Sequence, residues 1–487
     1  MAKRSIGKIA VLSVCFAVMA FSIHGMFGAN MAKKKNDIDQ FLHHATCYYA
    51  ISLMPFLGFS KQKSERPDSS LQFTSTDISL ARKLDSNDKL RSFRDKFVIT
   101  DPNTIYLDGN SLGRLPKSTI KYMQNVIEKE WGEQVTRRHM GSRRERVNAK
   151  LAQLVGAQPE EVLISDSTSV NFYKLVVAAL QLKKDRTKII TADLNFPTDV
   201  YILEGIIKLL GNKHELVFIP SDDDITIKNE AIQSEIDEET ALVTFSHVAY
   251  KSGFLYDMAK VNQWAHEKGA LVLWDLSHSV GAVPIDLGDT KADLAVGCTY
   301  KYLNGGSGCP AFIYVRRDLQ NDLENPIWGW LGAQDPFITP RYKASPGVKR
   351  FMVGSPPSLS IAALEPALDI HLEAGRDNLR KKSIHQAAYL IYLAEQWLFP
   401  LGFELGSPKN PEIRGSHVAL KHPEAYRIYQ AMTQSPPPAI KVIPDFRPPD
   451  NIRMSVVPLY TSYNEIYLAM KRIREIVEKN IYKQYSE

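Results

Sequence analysis

From Glu161 onward, short runs rich in Val, Ile and Leu recur about every 25 residues, and that rhythm restricts the chain to one broad class of fold. The runs are EVLIS, KIITA, ELVFIP, ALVTFSHV, ALVLWD, DLAVGCTY and PAFIYV. Between most of them lie amphipathic stretches of helical length, such as SVNFYKLVVAALQLKK and MAKVNQWAHEKG. Such alternation is that of an α/β protein with a mostly parallel sheet. Only KYLNGGSGC separates the last two runs, which is too short for a helical crossover, so the seventh run is expected to pair antiparallel or to cross over by another route. The pattern changes after about Asp318, where WGWLGAQDPFITPRY and GSPPS read as loops. One long helical stretch follows, IAALEPALDIHLEAGRDNLRKKSIHQAAYLIYLAEQWL, then short strands in SHVALKHP and NIRMSVVPLY and closing helices in EAYRIYQAMTQ and NEIYLAMKRIREIVEKNIY. The expected fold is therefore α/β: a seven-stranded mixed, mostly parallel sheet flanked by helices, with a smaller C-terminal α+β domain beside it. The expected division is an N-terminal extension over 1–75, an arm and large domain over 76–345, and a long linking helix with the small domain over 346–487.

A chain of 487 residues, 44% hydrophobic and 10% aromatic, has ample material for a large core, which excludes a disordered, collagen-like or disulfide-stapled protein. Its four cysteines, Cys15, Cys47, Cys298 and Cys309, form no CxxC and no metal-like spacing with histidine. Neither a disulfide framework nor a metal site is expected, and the thiols suit a reducing compartment. The net charge is +6, but Lys3, Arg4, Lys8, Lys33, Lys34 and Lys35 carry that excess with no acid among the first 35 residues. A balanced remainder lacks the basic field with which nucleic-acid binders displace counterions, so no nucleic-acid partner is expected. The same six residues flank the apolar run IAVLSVCFAVMAFSIHGMFGANMA over 9–32. Three readings of it stay open: a membrane anchor, an export signal with a poorly specified cleavage site, or an extension upstream of an alternative start at Met31. A membrane is a partner only in the first.

In an open α/β sheet, functional groups collect at the carboxyl ends of the strands. ALVLWD ends in Asp275, followed by LSHSVG with His278; DLAVGCTY leads through Tyr300 to Lys301 and LNGGSG; EVLIS is followed by DSTSVN, which opens a helix. An amine between Tyr300 and Tyr302, if enclosed, is pushed towards its neutral form, and a neutral amine forms an imine. Asp275 could neutralise a protonated pyridine nitrogen, while the SDSTS hydroxyls and amides at a helix N-terminus could hold a phosphate dianion. Taken singly, each has an ordinary reading as a solvent-reaching lysine, a turn carboxylate or a helix cap. Together, at the ends of successive strands, they meet the requirements of pyridoxal 5′-phosphate.

YLDGNSLGRLP, STSVNFYKL, NFPTDVY, LSHS after WD, TYKYLNGGSG and IRMSVVPLY together resemble the kynureninase family, fold-type-I pyridoxal-phosphate enzymes related to the aminotransferases and cysteine desulfurases, over roughly Thr76 to Tyr482. The resemblance implies that Lys301 joins the cofactor and shuttles protons, that Asp275 pairs with the pyridinium, and that Tyr300 binds the phosphate and assists proton transfer. It implies phosphate contacts from Thr168 and Ser169, a stacking role for Phe196 with Thr198 and Asp199 beside it, and a lining role for Ser246 and His278. Trp330 and Ser355 would reach the phosphate from a partner subunit, and Arg453 would clamp the substrate α-carboxylate, a task that suits a bidentate guanidinium. Asn110 and Ser111 are either turn formers or substrate contacts.

The implied reaction is hydrolysis of the Cβ–Cγ bond of L-kynurenine or 3-hydroxykynurenine to anthranilate or 3-hydroxyanthranilate and L-alanine. The setting is tryptophan catabolism leading towards NAD biosynthesis, in a cytoplasmic homodimer with shared active sites. The basic stretch WGEQVTRRHMGSRRERVN departs from the family where residues near the substrate's aromatic ring belong, which leaves the preference between the two substrates open. Two alternatives compete. A lyase of the cysteine-desulfurase type needs a reactive thiol on a mobile loop, whereas Cys298 and Cys309 bracket Lys301 and read as packed small hydrophobes. A non-catalytic, membrane-tethered homologue would have no use for Lys301, Asp275 and Arg453.

Overall fold

The computed structural model describes residues 73–135, 138–338 and 340–486; the apolar run over 9–32 and the linker that follows it, with Cys15 and Cys47, lie outside them. Strand β1 (Thr104–Tyr106) precedes the seven apolar runs, which form β2 (Val162–Ile164), β3 (Lys188–Ala192), β4 (Glu215–Ile219), β5 (Thr240–Ser246), β6 (Leu271–Asp275), β7 (Leu294–Gly297) and β8 (Phe312–Val315). They make one seven-stranded sheet in the order β2-β8-β7-β6-β5-β3-β4. Every residue of β2, β5, β6, β7 and β8 is buried, because helices cover both faces, and this is why these strands read as unbroken apolar runs rather than as alternation. Strand β8 is antiparallel to both β7 and β2, as expected of a connection without a crossover helix, and all other pairings in this sheet are parallel. Since β8 is inverted between β7 and β2, strand β2 runs with the parallel set and its carboxyl end opens on the same edge.

Two apolar layers hold the sheet between helices. On one face Phe172, Leu175 and Val176 of the helix Thr168–Leu182 pack with Leu203 and Ile206 of Pro197–Leu209. On the other, Trp274 and Phe245 meet Met258 and Val261 of Met258–Glu267, Leu151 of Arg138–Val155 and Leu364 of Ser358–Ala374. Trp274 is wholly enclosed, and its indole N–H donates to Asn262 Oδ1 at 2.9 Å, so the apolar ring is buried without stranding its one polar atom.

The C-terminal part contains β9 (Glu404–Leu405), β10 (His417–Lys421), β11 (Lys441–Ile443), β12 (Asp445–Arg447) and β13 (Asn451–Ser455). Four of these form an antiparallel sheet in the order β12-β13-β10-β9, while β11 pairs parallel with β1 and ties the amino-terminal arm to this part. The helix Tyr463–Glu478 closes it, started by a reciprocal cap between Ser462 and Glu465 and burying Ile466, Ala469, Met470, Ile473 and Ile476 on one stripe. One expectation needs correcting. The long linking helix is two helices, Ser358–Ala374 and Arg376–Trp397, interrupted at Gly375, whose φ of +79° no continuous α-helix can accommodate. Among the described residues no helix is long and apolar enough to cross a membrane.

Candidate active site

The carboxyl ends of β3, β5, β6 and β7 deliver one group of side chains to the open edge. Asp275 ends β6 opposite Ser246 at the end of β5, and its Oδ1 accepts from the Ser277 amide at 2.9 Å. Burial raises the Asp275 carboxyl above the usual range, against the pull of the Ser277 hydrogen bonds and the Lys301 charge. Asp199, in the first turn of Pro197–Leu209, is also buried. Its carboxyl is pushed well up, by burial first and then by the Asp275 charge, with Lys301 opposing. One amine therefore faces two enclosed carboxyls. Lys301 Nζ lies 3.2 Å from His278 Nε2 and 5.9 Å from the ring centres of both Phe196 and Tyr300. Burial, then the Lys301 and Arg453 charges, hold His278 well below its ordinary value, so its imidazole is neutral.

The second group comes from the end of β2. Asp166 has a φ of +43°, which turns the chain into Ser167, and the Ser167 hydroxyl caps the following helix by accepting from Val170 N at 3.3 Å. Thr168 and Ser169 occupy the first turn, where backbone N–H groups have no intrahelical partners and the helix presents its positive end. With Ser167, Tyr300, Ser307 and Gly308 they line a cavity of about 610 Å³, whose wall stops one residue short of Lys301. Lys174, two turns along the helix and fully buried, donates to Asp166 Oδ2 at 2.8 Å and to Phe351 O at 2.9 Å.

The third group belongs to the C-terminal sheet. Arg453, in the middle of β13, has no solvent exposure. Its Nη2 donates to Asp445 and, at 3.3 Å, to Ser111 Oγ, and its Nη1 donates to Tyr250 O. Turned with its carbonyl towards the guanidinium, the Asn110 amide accepts from Arg453 Nε at 2.7 Å and Nη2 at 3.2 Å. Asp445 also binds Arg447 Nε at 2.8 Å; Arg447 lies 5.9 Å from the centre of the Tyr250 ring, which meets Phe196 edge-on at 5.3 Å. His417 of β10 stands 5.8 Å from His278, ring centre to ring centre. Both imidazoles feel the Lys301 and Arg453 charges, so the amine and the guanidinium lie near the same pair of histidines.

The structure thus brings together Lys301, Asp275, Asp199, Phe196, Ser246 and His278, sets Tyr300 between them and the Thr168–Ser169 cup, and joins Asn110 and Ser111 to Arg453. Thr198 is half-buried beside Asp199. Trp330 and Ser355 are not at the cavity: both are exposed, and Trp330 packs on Phe337 at 5.7 Å. Sequence reasoning missed Asp445, Arg447, Tyr250, His417 and Lys174. DFRPPDNIRMS, read as a tight hairpin, would have put Asp445 across from Arg453, its register partner; no comparable signal marks Tyr250.

Pyridoxal phosphate fits this set. Asp199 Oδ2 is buried with no hydrogen-bond partner, as expected of a site whose polar complement belongs to a ligand. Enclosed carboxyls answer a cationic ring, the Phe196 face answers its plane, and the helix start answers a dianion. Cys298 and Cys309 are buried free thiols, raised by burial, Cys309 to about 12, and so are poor nucleophiles.

Comparison with known proteins agrees with the geometry. The family described as aminotransferase class-V matches residues 105–424, and the kynureninase C-terminal domain matches residues 379–473. Kynureninase of Pseudomonas fluorescens is 38% identical over 410 residues, spanning 82% of this chain and 95% of that protein. Among solved structures, the apo cysteine desulfurase of Thermococcus onnurineus NA1 has a TM-score of 0.69 at 18% identity, covering 77% of this chain and 95% of its own. A C-DES variant with glycine covalently linked to its pyridoxal phosphate gives 0.67 at 18% identity, covering 77% and 97%. These two establish the shared fold.

Proposed function

This chain belongs to the kynureninase family of pyridoxal-phosphate enzymes, and from that membership we infer that it hydrolyses the Cβ–Cγ bond of L-kynurenine to anthranilate and L-alanine. The observation that carries the reading is the Lys301 amine near two buried carboxyls and 3.2 Å from His278, whose imidazole also feels the fully buried Arg453. Bound here, pyridoxal phosphate supplies an aldehyde for imine formation and a cationic ring that withdraws electrons from the substrate α-carbon.

The residues then divide the work. Arg453, with Asn110 and Ser111 beside it, holds the α-carboxylate; a charge-assisted pair in an enclosed site gives both affinity and orientation. Lys301 takes and returns the α-proton, and the neutral imidazole of His278, 3.2 Å away, provides a partner for the amine. Asp275 keeps the ring nitrogen protonated, because a buried carboxylate without a cationic partner is unfavourable. Asp199 and Thr198 support that edge, Ser246 lines it, and Phe196 stacks on the ring. Thr168, Ser169 and Tyr300 bind the phosphate. Kynurenine and its 3-hydroxy form share the amino-acid end that these groups recognise, so both are assigned as substrates within tryptophan catabolism, on the route that feeds NAD biosynthesis.

Trp328, Trp330, Phe337 and Ile338 expose an apolar patch on one loop, Phe337 at 86% and Ile338 at 83%. Such a patch supports the reading of a homodimer in which a second copy covers it and Trp330 and Ser355 reach the partner's cup. Solubility of the substrates in the cytosol makes the cytoplasm the proposed setting. The test is anthranilate fluorescence on adding L-kynurenine to purified protein, with Lys301→Ala as the control. Release of anthranilate that falls by at least about 10²-fold in the control supports the assignment. Sulfide from L-cysteine with no anthranilate from kynurenine would overturn it in favour of the desulfurase alternative.

A further inference from the structure

Arg453 is fully buried and already has four oxygen partners, so a substrate carboxylate does not meet a free guanidinium. A guanidinium has five N–H donors, and most of those on Arg453 are in use. Only one of the partners carries a full charge: Asp445, on the neighbouring strand and in register with Arg453. Asp445 is bound at the same time by Arg447, whose side chain is 34% exposed while that of Arg453 is sealed. Two cations thus share one anion, an arrangement with room for a second carboxylate.

Resting on the assignment of Arg453 as the carboxylate clamp, we propose that Asp445 is the resident counter-ion of Arg453, which the substrate's α-carboxylate displaces while Arg447 retains the aspartate. A buried guanidinium without a counter-ion is strongly unfavourable, so the unliganded site needs an internal anion. Asp445 fills that place without taking over the site, since the same Oδ2 that meets Arg453 is also held by Arg447 Nε at 2.8 Å, which gives the carboxylate somewhere to stay. The exchange leaves Arg453 paired with one carboxylate throughout, while Asp445 stays on Arg447. Binding is therefore selective for ligands that bring a carboxylate, because a ligand lacking one cannot replace what it removes.

The test uses holoenzyme and L-alanine, a carboxylate-bearing product small enough to report on this end alone, with L-alaninamide as the uncharged control. In Asp445→Asn, the L-alanine dissociation constant read from the cofactor spectrum is expected to fall about tenfold, the order for removing one competing charge-assisted hydrogen bond. The melting temperature of the unliganded variant drops, and saturating L-alanine restores it. Arg447→Gln moves affinity the other way, because Asp445 then has only Arg453 to hold. L-Alaninamide affinity changes in neither variant. An L-alanine affinity unchanged or weakened in Asp445→Asn, or a melting-temperature loss that persists at saturating L-alanine, would overturn the proposal. Should Asp445→Asn fail to fold, an Arg447→Gln protein that binds L-alanine as tightly as the parent overturns it as well. Arg453→Lys separates the two ideas: retained L-alanine affinity there refutes the clamp assignment itself, whatever Asp445 does.

Discussion

His371 sits behind the segment that carries Lys301, its Nε2 3.3 Å from Asn304 Oδ1, on a helix whose apolar stripe seals it from water. Burial lowers its pKa to about 4, with the Tyr302 backbone opposing. The unfolded chain protonates this histidine below about 6.5 and the folded chain does not, so the stability it contributes is present above pH 6.5 and is lost as the pH falls towards 4. The loss amounts to roughly 2–3 kcal/mol over that window, at about 1.4 kcal/mol per pH unit. Urea titrations at pH 7 and pH 4.5 should therefore show the stability gap between parent and His371→Gln shrinking by about that much; a constant gap would mean that the imidazole titrates while folded. Single residues also mark where sequence reasoning stops. Lys301 and Asp275 were legible because Asp275 ends one apolar run and Lys301 directly follows another, and the end of such a run marks the edge of the sheet where functional side chains gather. Tyr250 offers only its backbone carbonyl to Arg453, and a backbone contact across some two hundred positions leaves no trace in residue type.

At the scale of elements, the same contrast has a geometric cause. A strand buried on both faces must be apolar throughout, so the seven runs declared themselves, and the nine residues between the last two apolar runs leave no room for a crossover helix; the connection 298–311 contains none. The interruption at Gly375 stayed hidden because apolar positions continue on either side, through Ile370 and Ala374 and on to Leu379. Glycine alone tolerates this backbone comfortably: a Cβ there would meet only Asn378 Nδ2, at an ordinary 3.5 Å, so any penalty is conformational rather than steric crowding. Gly375→Ala is expected to lower stability by about 1–3 kcal/mol in chemical denaturation. A neutral result would show that the two helices can merge.

For the whole molecule, the exposed loop bearing Phe337 and Ile338 is the feature that an isolated chain explains least well. If the proposed homodimer is built on this loop, replacing both by aspartate should leave a single chain in light scattering, and should loosen cofactor retention if Trp330 and Ser355 act across the interface. A variant that keeps its mass assigns assembly to another face. The large sheet could be read from one stretch of sequence, but the carboxylate end of the site could not, because it is assembled from three distant stretches: Asn110 and Ser111, Tyr250, and the hairpin of β12 and β13.

The pairing of β1 with β11 joins positions more than three hundred residues apart, and among the described residues β2 has β8 as its one sheet neighbour. On a ribosome, then, the strand that leads into the phosphate cup has no sheet neighbour until the eighth strand has emerged, and the arm bearing Asn110 gains its strand partner only when nearly the whole chain is made. On the proposed role of Arg453, a polypeptide that ends before β13 lacks the grip on the amino acid's carboxylate, so the order of synthesis makes substrate binding one of the last properties the chain acquires.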